Sequence, residues 1–296
     1  MTTGVLLMTY GAPRDDAELP AYLARVRGGR TPDDALVAEM RRRYERIGGS
    51  PLIRITEAQA AALDAALGPD YRVRAAMRYS DPAIADRARE LADADHVIGI
   101  VMSPQWSPTL MRGYADALRS AVARPTRVAG AWHREPAFIE ALAAQVRAAR
   151  SRLGGPHVLF TAHSLPRRVF EAEPEYIAQL SETGALVAAA AGLHADEWTW
   201  AYQSAGHTQE EWLRPDLKEL FPGLAAAGHR DVLVAPVQFL ADHLEVLYDL
   251  DVAAAAEAEA AGIRYYRVPM PNCDPAFIAA LAVIARREEA AISPGG

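Results

Sequence analysis

The regular alternation of short apolar runs with alanine-rich stretches is the feature that most constrains how this chain folds. Eight runs of six to nine residues are rich in valine, isoleucine or aromatic side chains, which predicts strands. Strands that alternate with helices predict an α/β fold, with parallel sheets covered by helices on both faces. The predicted strands are Gly4–Tyr10, Tyr71–Arg78, His96–Met102, Thr126–Trp132, His157–Ala162, Trp198–Gln203, Asp231–Phe239 and Ile263–Val268.

The predicted strands divide into four before and four after the segment SRLGGP at residues 151–156. Glycine and proline in this segment are typical of a linker. We therefore expect two Rossmann-like lobes, residues 1–150 and 151–296, each a four-stranded parallel sheet flanked by helices. Because ligands of open α/β sheets bind beyond the carboxyl ends of the strands, a cleft between the lobes is the predicted binding site.

One connection is longer than a crossover between parallel strands requires. About 60 residues separate the first two predicted strands. The insert, about residues 12–50, contains two predicted helices, Ala17–Val26 and Asp33–Ile47, and the second ends at Gly48 and Gly49. Ser50 and Pro51 are predicted to cap and start the next helix. Seven arginines between residues 25 and 46 of the insert, in a chain with net charge −7, indicate an anionic ligand bearing carboxylates or phosphates. They are Arg25, Arg27, Arg30, Arg41, Arg42, Arg43 and Arg46.

Charge and cysteine content exclude several classes of protein. The net charge of −7 argues against nucleic acid as the main partner. Cys273 is the one cysteine, so an internal disulfide, a cysteine-ligated zinc site and an iron–sulfur cluster cannot be built from this chain. No apolar segment approaches the roughly 20 residues of a membrane helix, and the N-terminus lacks a basic signal region. We expect a cytoplasmic protein without a membrane span.

The stretch HVLFTAHSLP at residues 157–166 leaves His163 and Ser164 at the carboxyl end of a buried strand. A histidine there can bind a metal or move a proton, although a polar side chain satisfied within the turn is the alternative. Ser164 is a poor candidate for a nucleophile activated by His163. Adjacent residues at a strand end point in different directions, and catalytic triads are assembled from distant segments.

A second polar stretch, QFLADHLEVLYDLD at residues 238–251, follows another predicted strand and enters a predicted helix, His243–Ala261. Glu245 and Asp249 are four residues apart and lie on one face of that helix, with Asp242 expected as its cap. Paired carboxylates can hold a cation or relay protons. The alternative is a first helical turn in which acids are favoured by the helix dipole.

Aromatic side chains also follow several predicted strands. Tyr10, Trp106, Tyr114 and Trp212 lie near strand ends, where they suit a flat aromatic ligand. The loop QSAGH at residues 203–207 follows another strand and is predicted to line the cleft, with Trp212 as an aromatic wall; the alternative is an ordinary turn. Neither a Walker loop nor a GxGxxG motif is present.

Five motifs together resemble the ferrochelatases: MTYGAP, RYERIGGSPL, LFTAHSLP, YQSAGHTQEEWLRPD and ADHLEVLYD. Their order and spacing match from Gly4 to about Arg286. The resemblance implies the chelatase fold of two Rossmann-like lobes. It also implies insertion of Fe²⁺, as a substrate, into a porphyrin held in the cleft, without a resident cofactor or an iron–sulfur cluster. We expect a monomer whose partners are the porphyrin and Fe²⁺.

The resemblance also implies roles for particular residues. His163 matches the metal-site histidine, Glu245 its partner carboxylate, and Asp249 a proton or metal relay. Tyr10 resembles the tyrosine with which the coproporphyrin III branch ligates the product iron, whereas the protoporphyrin branch has an apolar residue. The positions that contact the macrocycle or its propionates in that branch are Tyr10, Arg27, Arg43, Tyr44, Ser50 and Tyr114.

The chain departs from the family pattern in two places. EAEPEY at residues 171–176 replaces a Gly-Asp-Pro-Tyr-like turn, and Ala253 stands where some relatives carry an acid. The expected acidic path beyond Asp249 is therefore short. We expect His207 and His243 either to be structural or to support the site through other residues. Three other functions stay open: a protoporphyrin IX ferrochelatase, a sirohydrochlorin chelatase and a non-catalytic carrier of porphyrin or haem.

Overall fold

The structure is a computed structural model that describes residues 2–206 and 210–292. Its strands are β1 (Thr3–Thr9), β2 (Tyr71–Met77), β3 (His96–Val101), β4 (Thr126–Val128), β5 (His157–His163), β6 (Trp198–Gln203), β7 (Asp231–Pro236) and β8 (Arg264–Arg267). The helices are α1 (Leu19–Val26), α2 (Asp34–Ile47), α3 (Leu52–Leu67), α4 (Ile84–Arg89), α5 (Pro108–Ala121), α6 (Pro136–Arg152), α7 (Arg167–Ala172), α8 (Pro174–Ala190), α9 (Leu217–Ala226), α10 (Ala255–Ala260) and α11 (Pro275–Ala290). A π-helix, Glu245–Ala254, directly precedes α10.

The described residues form two compact units. Unit 1 comprises those within Met1–Trp132, Ala241–Leu244 and Asn272–Gly296, and unit 2 comprises those within His133–Leu240 and Glu245–Pro271. Among the described residues, no helix combines the length and apolarity that crossing a membrane requires.

Unit 1 contains a parallel sheet with the strand order β2-β1-β3-β4. All seven residues of β1 are buried, as a central strand covered on both faces requires. Unit 2 repeats this plan with the order β6-β5-β7-β8, again fully parallel. The predicted α/β class with two four-stranded parallel sheets is therefore confirmed.

The predicted boundary after residue 150 differs from these units, which also place Ala241–Leu244 in unit 1. Helix α6 packs against α8 and β7, so unit 2 begins at His133. Helix α11 packs against α3 and β3, so the C-terminal segment belongs to unit 1. The prediction assigned segments to the two lobes by their order along the chain. Helix α11 comes last in the chain but packs against the first sheet.

The insert folds as predicted into two helices, and Gly48 ends α2 in a left-handed conformation. No residue of α2 is fully buried. Its partly buried side chains, including Tyr44, pack against the buried Leu19, Tyr22 and Leu23 of α1. The arginine-rich helix is therefore held by one narrow apolar stripe.

Several local predictions were wrong in detail. Strand β4 ends at Val128 instead of Trp132, because the chain turns away and the Trp132 amide donates to the carbonyl of Pro104 at 2.8 Å. Helix α3 begins at Leu52 with Pro51 at its N-cap, and Ser50 Oγ lies 3.4 Å from the Leu52 amide.

The predicted helix over His243–Ala261 begins only at Glu245 and has π geometry through Ala254. Asp242, the expected cap, is bonded to Asn272: the Asp242 amide donates to Asn272 Oδ1 at 2.9 Å. Asn272 Nδ2 donates to Asp242 Oδ2 at 2.8 Å. Asp242 therefore anchors the segment before the helix to another loop of unit 1.

Candidate functional site

His163 is the last residue of β5, and its backbone is held by both neighbouring segments. It lies opposite Gln203 of β6 in the ladder, and its amide donates to Gln238 Oε1 at 2.9 Å. Its Nδ1 lies 2.5 Å from the carbonyl oxygen of Ser164. A carbonyl oxygen can only accept, so Nδ1 carries a proton and Nε2 keeps its lone pair in the neutral ring.

Glu245 is the first residue of the π-helix, and its Oε1 lies 3.9 Å from His163 Nε2. This separation is longer than a hydrogen bond. With bonds of about 2.0–2.2 Å, the lengths that zinc makes to histidine nitrogen and carboxylate oxygen, both atoms can reach one cation. The side chains are 23% and 45% exposed, so solvent and an incoming ion can reach the pair.

The π-helix also positions the relay candidate Asp249. In a π-helix each turn spans more than four residues, because its hydrogen bonds join residues five apart. Asp249 therefore remains close to the face of Glu245, while Val246 and Leu250 are buried. The part of the chain that the structure describes contains no group of three or more His, Cys, Asp or Glu side chains placed to hold a metal ion, so His163 and Glu245 are a candidate pair of ligands.

Ser164 has a structural role. It is fully buried, its amide donates to the carbonyl of Gln203 at 2.7 Å, and its Oγ donates to the carbonyl of Leu213 at 2.9 Å. The interpretation of Ser164 as a turn residue is confirmed. His207 lies outside the described residues, and His243 is half-buried in the Ala241–Leu244 segment of unit 1.

Unit 1 carries an aromatic group at the carboxyl ends of β1 and β2. Tyr10 is 44% exposed, and its ring lies edge-on to that of Tyr79 with centroids 4.6 Å apart. The Arg78 guanidinium lies 4.9 Å from the ring centroids of both Tyr79 and Tyr114. Burial raises the pKa of the Tyr114 hydroxyl, and the positive charge of Arg78 opposes this only in part, so Tyr114 is neutral at physiological pH. The structure thus gathers Tyr10 and Tyr114 around Arg78 and Tyr79.

The other predicted porphyrin-binding residues lie on the insert and just beyond it. Arg27 is exposed at the C-terminal end of α1, and Ser50 precedes α3. Arg43 Nε donates to Glu39 Oε1 at 2.8 Å on the same helix, α2. Hydrogen bonds from Arg43 and Arg42 lower the pKa of the Glu39 carboxyl, so it is ionised.

Three residues that contact predicted site residues were not themselves predicted from the sequence. Arg78 and Tyr79 directly follow β2, and Gln238 follows β7. The predicted strands Tyr71–Arg78 and Asp231–Phe239 included Arg78 and Gln238, so only Tyr79 directly followed a predicted strand, which is the signal that selected His163. The aromatic residues Trp106 and Trp212 are partly buried: Trp106 packs on the core of unit 1, and Trp212 pairs with Pro166 in unit 2.

Comparison with known proteins identifies the family. The family model for ferrochelatases matches residues 2–289. The chain belongs to the ferrochelatase family. A protein of Deinococcus radiodurans described as a ferrochelatase is 37% identical, with 98% of this chain and 97% of that protein covered. The coproporphyrin III ferrochelatase of Geobacillus kaustophilus is 35% identical, with 96% and 95% covered.

Solved structures show the same fold. CbiX, described as the terminal enzyme for biosynthesis of sirohaem in denitrifying bacteria, matches with a TM-score of 0.62 at 19% identity, covering 96% of this chain and 98% of CbiX. SirB from Bacillus subtilis matches with a TM-score of 0.58 at 12% identity, covering 97% and 96%. These likenesses establish the chelatase fold. Family membership establishes the reaction class, because ferrochelatases are lyases that insert a metal into a porphyrin.

Proposed function

We propose that this ferrochelatase inserts Fe²⁺ into coproporphyrin III to give Fe-coproporphyrin in haem biosynthesis. The observation that carries the choice of porphyrin is Tyr10, which projects a phenol 44% exposed from the carboxyl end of β1. Relatives named as coproporphyrin III ferrochelatases, 35% and 34% identical over 96% of the chain, support it. The relative from Deinococcus radiodurans is named only as a ferrochelatase.

His163 and Glu245 have the roles of metal-site ligands and proton acceptors in this proposal. The bond from Nδ1 to the Ser164 carbonyl fixes the ring and leaves Nε2 as a base or a ligand. Nε2 accepts pyrrole protons or holds the incoming Fe²⁺, and Glu245 assists from 3.9 Å. An imidazole and a carboxylate form a site of moderate affinity for Fe²⁺, as delivery of the ion requires. Asp249, four residues further along the π-helix, passes protons outward.

Arginine and tyrosine side chains of unit 1 bind the porphyrin in this proposal. The propionates of coproporphyrin III, four in number, suit guanidinium groups, which bind carboxylates in bidentate geometry. The binding residues are Tyr10, Arg27, Arg43, Tyr44, Ser50 and Tyr114. Gripping the propionates biases the macrocycle toward a puckered shape that exposes its pyrrole nitrogens. Tyr10 then ligates the inserted iron through its phenol oxygen.

The first test removes the proposed metal ligand. We expect His163→Ala to lose iron insertion, measured from the Soret band with Fe²⁺ and coproporphyrin III under anaerobic conditions. Porphyrin binding, measured by fluorescence quenching, should be retained. His194→Ala is the matched control, because His194 is exposed in the same unit. Insertion at the wild-type rate by His163→Ala would contradict the role assigned to this residue.

The second test addresses the choice of porphyrin. Wild-type enzyme should turn over coproporphyrin III with a larger kcat/KM than protoporphyrin IX in parallel assays. Tyr10→Phe should change the visible spectrum of the iron product, because the phenol ligand is lost. A preference for protoporphyrin IX would instead identify a protoporphyrin ferrochelatase. Insertion only into sirohydrochlorin would identify a sirohydrochlorin chelatase, and binding without insertion would identify a carrier.

The proposal includes the state of the protein in the cell. We propose a cytoplasmic monomer that requires no resident cofactor and no iron–sulfur cluster, in keeping with the one cysteine in the chain. Sedimentation velocity tests the monomer. Metal analysis of purified protein, together with activity after treatment with a chelator and addition of Fe²⁺ alone, tests the cofactor requirement.

A further inference from the structure

The ladder between β5 and β7 ends with a side chain in the place of a backbone acceptor. The Val237 amide donates to the carbonyl of Thr161 at 3.0 Å. In a parallel ladder the next bond would run from the His163 amide to the carbonyl of Val237. The His163 amide instead donates to the side-chain oxygen of Gln238 at 2.9 Å, where the chain leaves the sheet.

The other end of the Gln238 amide is fixed as well. Its Nε2 donates to the hydroxyl of Tyr176 at 2.9 Å. Tyr176 lies on α8, is 2% exposed, and packs with Ala162 and Ile177. Burial raises the pKa of the Tyr176 hydroxyl more than the bond from Gln238 lowers it, so the hydroxyl stays neutral and accepts this bond. Because the His163 amide can only donate, the orientation of the Gln238 amide group is determined.

We infer that Gln238 is a positioning residue for His163. This inference rests on the proposed function, in which His163 Nε2 acts on iron or on the pyrrole protons. On the β6 side, the Ser164 amide donates to the carbonyl of Gln203 at 2.7 Å. On the β7 side, the Gln238 side chain holds the backbone amide from which the imidazole projects. With both sides fixed, Nε2 is held 3.9 Å from Glu245 Oε1.

Loss of the Gln238 amide should act on the handling of iron and leave porphyrin binding unchanged. Gln238→Leu has similar bulk and removes both hydrogen bonds, so the strand end is free to shift. A shift of about 1 Å in a catalytic group costs up to about 100-fold in rate. We expect kcat/KM for Fe²⁺ to fall by about 10-fold to 100-fold, with KM for coproporphyrin III unchanged.

A conservative variant distinguishes positioning from packing. In Gln238→Glu the carboxylate accepts from the His163 amide, and the Tyr176 hydroxyl rotates to donate to it, so both contacts are retained. We expect this variant to recover kcat/KM for Fe²⁺ to within about threefold of wild type. The matched control is Gln145→Leu on α6, where the amide oxygen is buried with no hydrogen-bond partner among the described residues and lies outside the proposed site. It should keep wild-type kinetics.

The kinetic parameters for Fe²⁺ and for coproporphyrin III are measured separately for all three variants, with circular dichroism and thermal unfolding to verify folding. Wild-type kinetics in Gln238→Leu would overturn the inference, as would a raised KM for coproporphyrin III or a Gln238→Glu variant as impaired as Gln238→Leu. If Gln238→Leu fails to fold, Gln238→Asn, which keeps the amide on a shorter side chain, takes its place with the same expected loss. His163→Ala distinguishes the two proposals: if it loses insertion while Gln238→Leu keeps it, only the inference on Gln238 fails.

Discussion

Gly113 provides a test of how the aromatic group of unit 1 is assembled. It lies within α5, and a Cβ at this position would clash with Nη2 of Arg78 and come 2.6 Å from its Cζ. Such contacts are too short, so Gly113→Ala must displace the guanidinium. Displacement breaks the stacking of Arg78 on Tyr79 and Tyr114 and its 2.8 Å hydrogen bond to the carbonyl of Leu110.

The free energy of unfolding should reflect two opposing terms. Two cation–π contacts are worth about 0.5–1 kcal/mol each at exposed sites, and a hydrogen bond from a charged donor about 1.5–3 kcal/mol. Because the displaced guanidinium regains water, we take the loss as about 2 kcal/mol. Alanine in a helix interior is favoured over glycine by about 1 kcal/mol. Gly113→Ala should therefore destabilise unit 1 by about 1 kcal/mol.

A double-mutant cycle with Arg78→Ala determines whether the loss runs through the guanidinium. In the Arg78→Ala background no side chain obstructs the new Cβ, so Gly113→Ala should stabilise by about 1 kcal/mol. The sign of the effect thus reverses between the two backgrounds. Urea unfolding followed by circular dichroism measures it. The same stabilisation by Gly113→Ala in both backgrounds would refute the assigned role of Arg78.

Three further predictions concern stability. Asn272 adopts φ +45° and exchanges two hydrogen bonds with Asp242. Asn272→Ala should lower the free energy of unfolding by about 2–4 kcal/mol, and Asn272→Gly by about 1 kcal/mol less because glycine accepts positive φ freely. Burial raises the pKa of Glu289, but hydrogen bonds from the Thr3 and Tyr71 hydroxyls and from His96 outweigh burial and lower this pKa below its ordinary 4.5. The stabilisation by Glu289 is thus complete above about pH 4.5 and lost as pH falls through the lowered pKa, so the deficit of Glu289→Gln in urea unfolding should shrink below that pH. At Gly99 a Cβ would lie 2.7 Å from Leu118 Cδ2, so Gly99→Ala should lower the melting temperature through a loss of about 1–3 kcal/mol.

Apolar pattern predicted most strands well and two strand ends poorly, since the predicted strand Asp231–Phe239 continues three residues beyond the end of β7 at Pro236. The runs at Trp198–Gln203 and His157–Ala162 coincide with β6 and β5 to within one residue. The run that begins at Thr126 continues to Trp132, yet β4 ends at Val128. Trp132 is 2% exposed in the turn that follows. Apolar residues indicate burial, and burial is reached in a turn as well as in a strand.

Two features depend on interactions that the sequence pattern does not contain. A helical run predicts a helix but not whether its bonds span four residues or five, so the π geometry from Glu245 was missed. Helix α11 was assigned by chain order, whereas the Thr3 hydroxyl at the start of β1 donates to Glu289 on α11. The packing of a C-terminal helix on the first sheet depends on contacts between residues far apart in the chain, which local periodicity does not predict.

The candidate residues follow one geometric rule in both units. Parallel strands present their carboxyl ends at one edge of a sheet, and the residues that follow them meet there. Tyr10 follows β1 and Tyr79 follows β2, while His163 ends β5 and Gln238 follows β7. The sequence selects such positions because an apolar run stops at a polar residue. It does not select Gln238 as a partner of His163. Their hydrogen bond forms because β7 ends at Pro236, before the Val237 carbonyl could accept from the His163 amide.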